Sequence, residues 1–413
     1  MIKSLKPSEY NSELTIPSSK SYMQRAVAIA TLSDTATTIL NPDFSNDSRA
    51  GLGVAQALGC NVEEYSDRIV LTPNHHPAGN IVDVGEAGLG LRLYTPICSL
   101  FGNNITVAGH GTLLKRPVDE MIAPLSKLGV SITLTNNCAP VHTMGKLDGG
   151  NVDIDAGKSS QFLSGLLIAL PKAERDSLLN ITAINSKPYV SMTIDILKQF
   201  GCTVVNNDFN TIKISGNQHY NCSQYVVEGD WSSAAAHLAA GAIAGKVVVH
   251  GLQYNSLQAD KAIIEVLENC GANVEVSSNS IVVTHNKLKA FKFDATDSPD
   301  LFPVLAALAA NCDGISEIIG TSRLTHKESN RAKAISDEFA KLGIDVDITT
   351  KPNTMLVSGG KIRGGVLVSA HHDHRMAMAL AVCALTADAP IDIDEAESVA
   401  KSYPTFWEQW KVN

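Results

Sequence analysis

No two of the eight cysteines, at positions 60, 98, 138, 202, 222, 270, 312 and 383, are spaced as a CxxC pair. That argues against a zinc module and gives no disulfide framework, so the thiols read as buried and free. Long apolar runs are also lacking. Stretches such as Phe302 to Ala310 are too short to span a bilayer, and no transmembrane segment is expected. The N-terminal MIKSLKPSEYNSELTIP has no apolar core followed by a small-residue cleavage site, which points to a cytoplasmic protein. Nor is there an excess of positive charge: 33 Lys and Arg against 42 Asp and Glu leave a net charge of −9. A general nucleic-acid or membrane-surface binder is therefore not expected, and any anion has to meet a local cluster of cations. A hydrophobic fraction of 44% with 18% charged residues excludes disorder, and the length sets an expectation of two or three domains.

What the chain does have is an internal repeat. LGVAQALGCNVEE, MIAPLSKLGVSIT, IDILKQFGCTVVN, IIEVLENCGANVE and ISDEFAKLGIDVD each run from an apolar helical stripe through a glycine into an alternating strand. The glycines, Gly59, Gly129, Gly201, Gly271 and Gly343, are 70, 72, 70 and 72 residues apart. Each falls where a helix C-terminus needs a left-handed residue. Between these phrases lie six Ala-rich helices centred near residues 28, 95, 166, 238, 307 and 380, apolar nearly all round and suited to the inside of a helix cluster wrapped by sheets. Six units in two halves of three follow, with chain crossings near Pro17 to Lys20 and Glu228 to Asp230. The chain ends where the sixth glycine-ended helix is due, so N-terminal strands must complete the last unit. An elongated, non-catalytic repeat scaffold is disfavoured because solenoid repeats are usually about 20 to 50 residues long.

Polar residues gather at the starts of the Ala-rich helices, where unpaired N–H groups and the helix dipole favour anions. The first reads Ser18-Ser19-Lys20-Ser21 with Arg25 one turn on. Capping explains a serine there but not a lysine and an arginine, which are disfavoured at that end unless an anion binds. The second opens Gly85-Glu86-Ala87-Gly88-Leu89-Gly90-Leu91-Arg92, and the third has Ser159-Ser160-Gln161. Lys158-Ser159 ends like a Walker A motif, but the required upstream glycine is Val152, so a nucleotide site is rejected. Lys20, Arg25, Arg116, Lys327, Arg331, Arg375 and Lys401 are seven candidate cations for a strongly anionic ligand. His371-His372-Asp373-His374 invites a metal reading, but neither HExxH nor a second Cys/His cluster accompanies it.

Taken together, PSSKSYMQRA (17–26), GEAGLGLR (85–92), KRPVDEMIAPLSKLG (115–129), SSQFLSGLL (159–167), SKPYVSMT (186–193), SPDLFPVL (298–305), HKESNRAKA (326–334), DHRMAMALA (373–381) and VAKSYPTFWEQW (399–410) resemble the 5-enolpyruvylshikimate-3-phosphate (EPSP) synthase family along essentially the full chain. The resemblance implies an α/β (α+β) fold, a two-domain inside-out α/β barrel of six βαβαββ units, three per domain. One domain would be residues 1–17 with 229–413, the other 18–228, with the active site in the cleft between them. It implies transfer of the enolpyruvyl group of phosphoenolpyruvate to the 5-hydroxyl of shikimate 3-phosphate, without metal or cofactor, by a cytoplasmic monomer that binds neither nucleic acid nor membrane. Lys20, Ser21, Arg25, Ser159, Ser160, Gln161, Ser186, Tyr189, Asp300 and Lys327 would hold shikimate 3-phosphate. Lys20, Gly88, Arg116, Gln161, Arg331, His374, Arg375 and Lys401 would hold phosphoenolpyruvate. Asp300 would be the base and Glu328, with Lys20 nearby, the proton donor, with Glu328 and Arg331 on one helical face. Two departures stand out: Glu86-Ala87-Gly88-Leu89 where the family commonly has Asn-Ala-Gly-Thr, and Arg323 where it often has Asn, a residue expected either on the shikimate phosphate or in solvent. The sister family that acts on UDP-N-acetylglucosamine normally carries a cysteine before the second glycine-ended helix. Here GHGTLLKRP fills that loop, without one.

Overall fold

In the computed structural model, which describes residues 1–278, 280–325 and 327–411, the chain forms two compact units, Met1–Pro17 with Glu228–Asn413 and Ser18–Val227. Each has its own apolar core. The return crossing falls between Val227 and Glu228, because the Glu228 carboxylate accepts hydrogen bonds from Ser256 and Gln258 of the terminal unit.

Twelve α-helices are present among the described residues: α1 (Lys20–Thr31), α2 (Asn46–Ala57), α3 (Gly88–Ser99), α4 (Ile122–Lys127), α5 (Gln161–Ala169), α6 (Lys187–Gln199), α7 (Trp231–Ala244), α8 (Ile263–Cys270), α9 (Phe302–Ala310), α10 (Arg331–Lys341), α11 (His374–Ala384) and α12 (Phe406–Gln409). The odd-numbered ones are the Ala-rich set. Every residue of α9 and α11 is buried, and alanine makes this possible: it favours helix and lets neighbouring helices approach closely. α7, α9 and α11 pack on one another in the terminal unit, and α3 packs between α1 and α5 in the middle one. From α2 to α10 the even helices bury one face, as Val190, Thr193 and Leu197 of α6 illustrate. All five repeat glycines hold φ between +77° and +102° just beyond these helices, the left-handed conformation that ends a helix and turns the chain into the next strand.

One sheet shows the plan. Asn151–Ala156 runs parallel to Ser177–Ile184, which pairs antiparallel with Thr211–Ile214, which pairs antiparallel with Val204–Asn207. Among the described residues five four-stranded sheets share this order, and a sixth has three strands. The first strand is exchanged at the crossings. Tyr10–Thr15 precedes α1 yet pairs with Gly245–His250, while Gln224–Val226 precedes α7 yet pairs with Thr37–Leu40. Lys3–Leu5 pairs with Ile391–Asp394 and so supplies the last unit with an N-terminal strand.

Candidate active site

In the middle unit α1, α5 and α6 converge on Arg25. This guanidinium is buried and donates to Thr193 Oγ1 of α6 (2.8 Å), to the Ser21 carbonyl (3.0 Å) and to Ser164 Oγ of α5 (3.5 Å). The Tyr189 ring lies 5.8 Å from it. Burial pulls Arg25 down to about 10, so it stays cationic at neutral pH among neutral partners. Ser160, at the N-cap position of α5, donates to the Ser186 carbonyl (3.5 Å), which ties the two helix starts together, while Ser159 Oγ accepts from Gln161 N–H (3.3 Å). Ser186 holds φ +58°. Lys20, the first residue of α1, pairs with Asp47 of α2 at 3.0 Å.

A second cluster forms at the start of α3. Gly88 lies directly beneath the Arg116 guanidinium, and a Cβ there would come within 2.6 Å of it, so any other residue would have to push that guanidinium aside. Arg116 follows the 3-10 turn Gly111–Lys115. Glu86 accepts at Oε2 from Thr112 N–H (3.2 Å) and Oγ1 (2.9 Å), fixing the near end of that turn. Arg92 donates to Glu120 (2.7 Å) and to the Pro117 carbonyl (2.8 Å), fixing the far end.

The terminal unit's cluster is built from charges. Arg331, the first residue of α10 and 1% exposed, meets three carboxylates: Asp373 (2.7 Å), Asp300 (2.5 Å) and Glu328 (2.9 Å). Lys327 and Arg375 flank Asp300 at 3.6 and 3.8 Å. Burial alone would push Asp300 up, but Lys327, Arg331 and Arg375 outweigh it and hold the carboxyl well below the usual range. Burial lowers Lys327, with Asp300 opposing; for Arg331 and Arg375 the carboxylates win and both are raised. Asp373 caps α11 by accepting from Arg375 N–H (2.9 Å), and His374, also buried, lies 3.8 Å from it. Lys401 is buried at the end of the 3-10 turn Ala396–Lys401.

The middle unit thus gathers Ser21, Arg25, Tyr189 and the linked Ser159, Ser160, Gln161 and Ser186; it holds Gly88 against Arg116 and pairs Lys20 with Asp47. The terminal unit gathers Asp300, Lys327, Glu328, Arg331, His374 and Arg375. Two expectations need correction. Glu328 does not share a helical face with Arg331: α10 begins at Arg331, capped by Asn330, and the pair forms from the preceding loop. Arg323 does not face solvent but is buried and electrostatically coupled to Asp297 and Asp300. His326 lies outside the described residues. Sequence reasoning missed Asp47, Thr193, Ser164 and Asp373 as partners of the site's cations. It also missed Asp260, a buried carboxyl that accepts from Ser232. Burial and Asp300 push Asp260 up to about 6, against Arg375. Only Asp373 left a signal, its place before an Ala-rich helix. Among the described residues no group of three or more His, Cys, Asp or Glu side chains is arranged to hold a metal, and no helix is long and apolar enough to cross a membrane.

By fold the chain falls in the class of two-domain EPSP synthases. A solved EPSP synthase from Acinetobacter baumannii superposes with a TM-score of 0.82 at 26% identity, covering 99% of this chain and 97% of that one. The family model EPSP synthase (3-phosphoshikimate 1-carboxyvinyltransferase) matches residues 5–410, and the chain belongs to that family. Curated relatives named 3-phosphoshikimate 1-carboxyvinyltransferase include one from Clostridium novyi (strain NT), 35% identical over 98% of this chain and 95% of its own length. Another, from Methanocorpusculum labreanum, is 36% identical over 94% and 93%.

Proposed function

We propose a division of labour for the family reaction, transfer of the enolpyruvyl group of phosphoenolpyruvate to the 5-hydroxyl of shikimate 3-phosphate. Lys20, Ser21, Arg25, Ser159, Ser160, Gln161, Ser186, Tyr189 and Lys327 bind shikimate 3-phosphate. Lys20, Gly88, Arg116, Gln161, Arg331, His374, Arg375 and Lys401 bind phosphoenolpyruvate. In the addition step Asp300 takes the proton of the 5-hydroxyl, whose oxygen bonds to C2 of phosphoenolpyruvate, while Glu328, assisted by Lys20, protonates the alkene CH2 to a methyl group. In the elimination step the carboxylate left on Glu328 takes a methyl proton, the alkene re-forms, and inorganic phosphate leaves with the proton held by Asp300.

The observation that carries this reading is the placement of Asp300 and Glu328 on two nitrogens of one buried guanidinium, at 2.5 and 2.9 Å. A carboxylate held as low as Asp300 is a poor base. An anionic substrate drawing on Arg331 and Arg375 relieves that hold and raises its basicity, which couples binding to activation. The test is turnover with Glu328→Gln and Asp300→Asn. Each should lower kcat by about 10²-fold or more with little change in substrate dissociation constants. Near-normal turnover in Glu328→Gln would remove it from the mechanism. Phosphate release should require shikimate 3-phosphate, with UDP-N-acetylglucosamine inert as acceptor. We also read the enzyme as a cytoplasmic monomer that needs no metal: activity should survive chelation in full, and light scattering should give the mass of one chain.

A further inference from the structure

The run His371-His372-Asp373-His374 reads in the sequence like a metal motif, yet the proposed chemistry uses only His374. Its first two residues have the unusual backbone. His371 and His372 are consecutive and both hold φ +53°, a region that side chains bearing a Cβ seldom occupy. Two carboxylates grip this turn. Glu338 of α10, buried, accepts at Oε2 from Ser369 N–H (2.9 Å) and Lys341 (2.7 Å), and its Oε1 lies 2.8 Å from His371 Nε2. Glu395, itself at φ +58°, accepts at Oε2 from His372 N–H (2.8 Å) and Ser369 Oγ (3.1 Å), and its Oε1 lies 2.8 Å from His372 Nε2. Seven residues before Glu338, two turns back on the same side of α10, Arg331 holds Asp373. The turn is therefore fastened to α10 at both of its ends, and α11 with Arg375 starts directly from it.

We propose that His371 and His372 are positioning residues for the transferase reaction: clamped by Glu338 and Glu395, they keep turn 369–373 left-handed and so set where Asp373 meets Arg331 and where α11 presents Arg375. The inference rests on Arg331 and Arg375 being contacts of phosphoenolpyruvate. The charged groups around His371 are Glu338, Lys341 and Glu395. Its hydrogen bond to Glu338 raises it above the ordinary imidazole value despite burial, with Lys341 opposing. Burial would raise Glu338, but its hydrogen bonds from His371, Lys341 and Ser369 hold it near 2. A proton bound more tightly in the folded state makes the clamp complete below about pH 6.5 and loosens it as pH rises through the raised value of His371. Glu338 remains ionised across that range.

Steady-state kinetics from about pH 5.5 to about pH 9 test this on the whole enzyme, with His371→Gln, His371→Ala and Arg375→Ala beside the parent. In the parent, the KM for phosphoenolpyruvate should rise about fivefold along the alkaline limb while that for shikimate 3-phosphate stays level. Glutamine donates to Glu338 without titrating, so His371→Gln should lose that limb. His371→Ala should raise the same KM about tenfold at every pH. Should the alanine variant fold poorly, the glutamine profile and an NMR titration of the His371 imidazole, displaced downward in Glu338→Gln, decide the matter. An alkaline limb unchanged in His371→Gln overturns the clamp. So does a raised KM in Arg375→Ala with none in His371→Ala, and that outcome leaves the substrate assignment standing. No effect in Arg375→Ala overturns both.

Discussion

Two buried arginines, one in each unit, are held in opposite ways. Arg25 in the middle unit is buried among hydroxyls and a carbonyl, and burial lowers it to about 10. Arg331 in the terminal unit is as deeply buried, but three carboxylates surround it and raise it. A guanidinium with neutral partners keeps its full attraction for an incoming phosphate. One already neutralised must exchange a carboxylate for the substrate, and that exchange changes the carboxylate. The first arrangement suits binding and the second suits switching a base on, which matches the roles proposed for Arg25 and for Asp300.

Removing a partner from each network sharpens the contrast. Asp373→Ala leaves Arg331 short of its bidentate partner and α11 without its cap, and should cost about 3 to 5 kcal/mol of stability. Thr193→Val removes one neutral acceptor from Arg25 and should cost about 1 to 2 kcal/mol. Urea unfolding of both variants measures the difference. Equal losses would show that the charged network is no more demanding than the neutral one.

Acid separates the units next. His237 of α7 is buried, and its tautomer follows from its neighbours. Tyr403 Oη donates to Gln409 (2.6 Å), so it accepts from His237 Nε2–H (3.1 Å), and the bare Nδ1 accepts from Tyr10 Oη (2.5 Å). Burial lowers His237 to about 3. Below about pH 6.5 the unfolded chain therefore takes up a proton that the folded chain refuses, and stability falls by about 1.4 kcal/mol per pH unit. Asp260 has the opposite sign. Raised to about 6, it keeps a proton in the folded state that the unfolded chain does not take up until about pH 3.9, the ordinary Asp value, so acidification across that interval stabilises the fold. The two offset each other in the parent. From pH 7 to about pH 5, His237→Gln should gain stability while Asp260→Asn loses about 2 kcal/mol, read from urea midpoints at each pH. All five middle-unit histidines, at 75, 76, 110, 142 and 219, are exposed, and although His219 Nδ1 lies 2.7 Å from Asp34, none is buried as His237 is. Parallel slopes in the two variants would break this account.

These cases also mark how far the sequence could be read. Gly59, Gly129, Gly201, Gly271 and Gly343 were legible because a helix C-terminus is a local event with a local requirement, and their spacing alone yields the repeat. The start of α10 was legible too, in Asn330, and the one-face reading of Glu328 and Arg331 overlooked that capping signal. The exchange of Tyr10–Thr15 and Gln224–Val226 between sheets was not legible, since either strand alternates acceptably in either place. Nor were Ser232 with Asp260 or Arg331 with Asp373, pairs 28 and 42 residues apart that only tertiary packing brings together.

The smallest effect expected here tests the middle unit alone. Glu86 stands where the family commonly has Asn. Its carboxylate receives both the N–H and the hydroxyl of Thr112, at the start of the 3-10 turn that ends in Arg116. If that bond steadies the guanidinium over Gly88, Glu86→Ala should raise the KM for phosphoenolpyruvate by about fivefold, the equivalent of about 1 kcal/mol for one hydrogen-bonded anchor. Glu86→Gln keeps an acceptor and should stay within about twofold. Neither change touches the Arg25 cluster, so the KM for shikimate 3-phosphate should hold in both. A shift in both KM values would mean that the turn steadies the whole unit. No shift in either would mean that Arg92, through Pro117 and Glu120, holds the loop from its other end without help from Glu86.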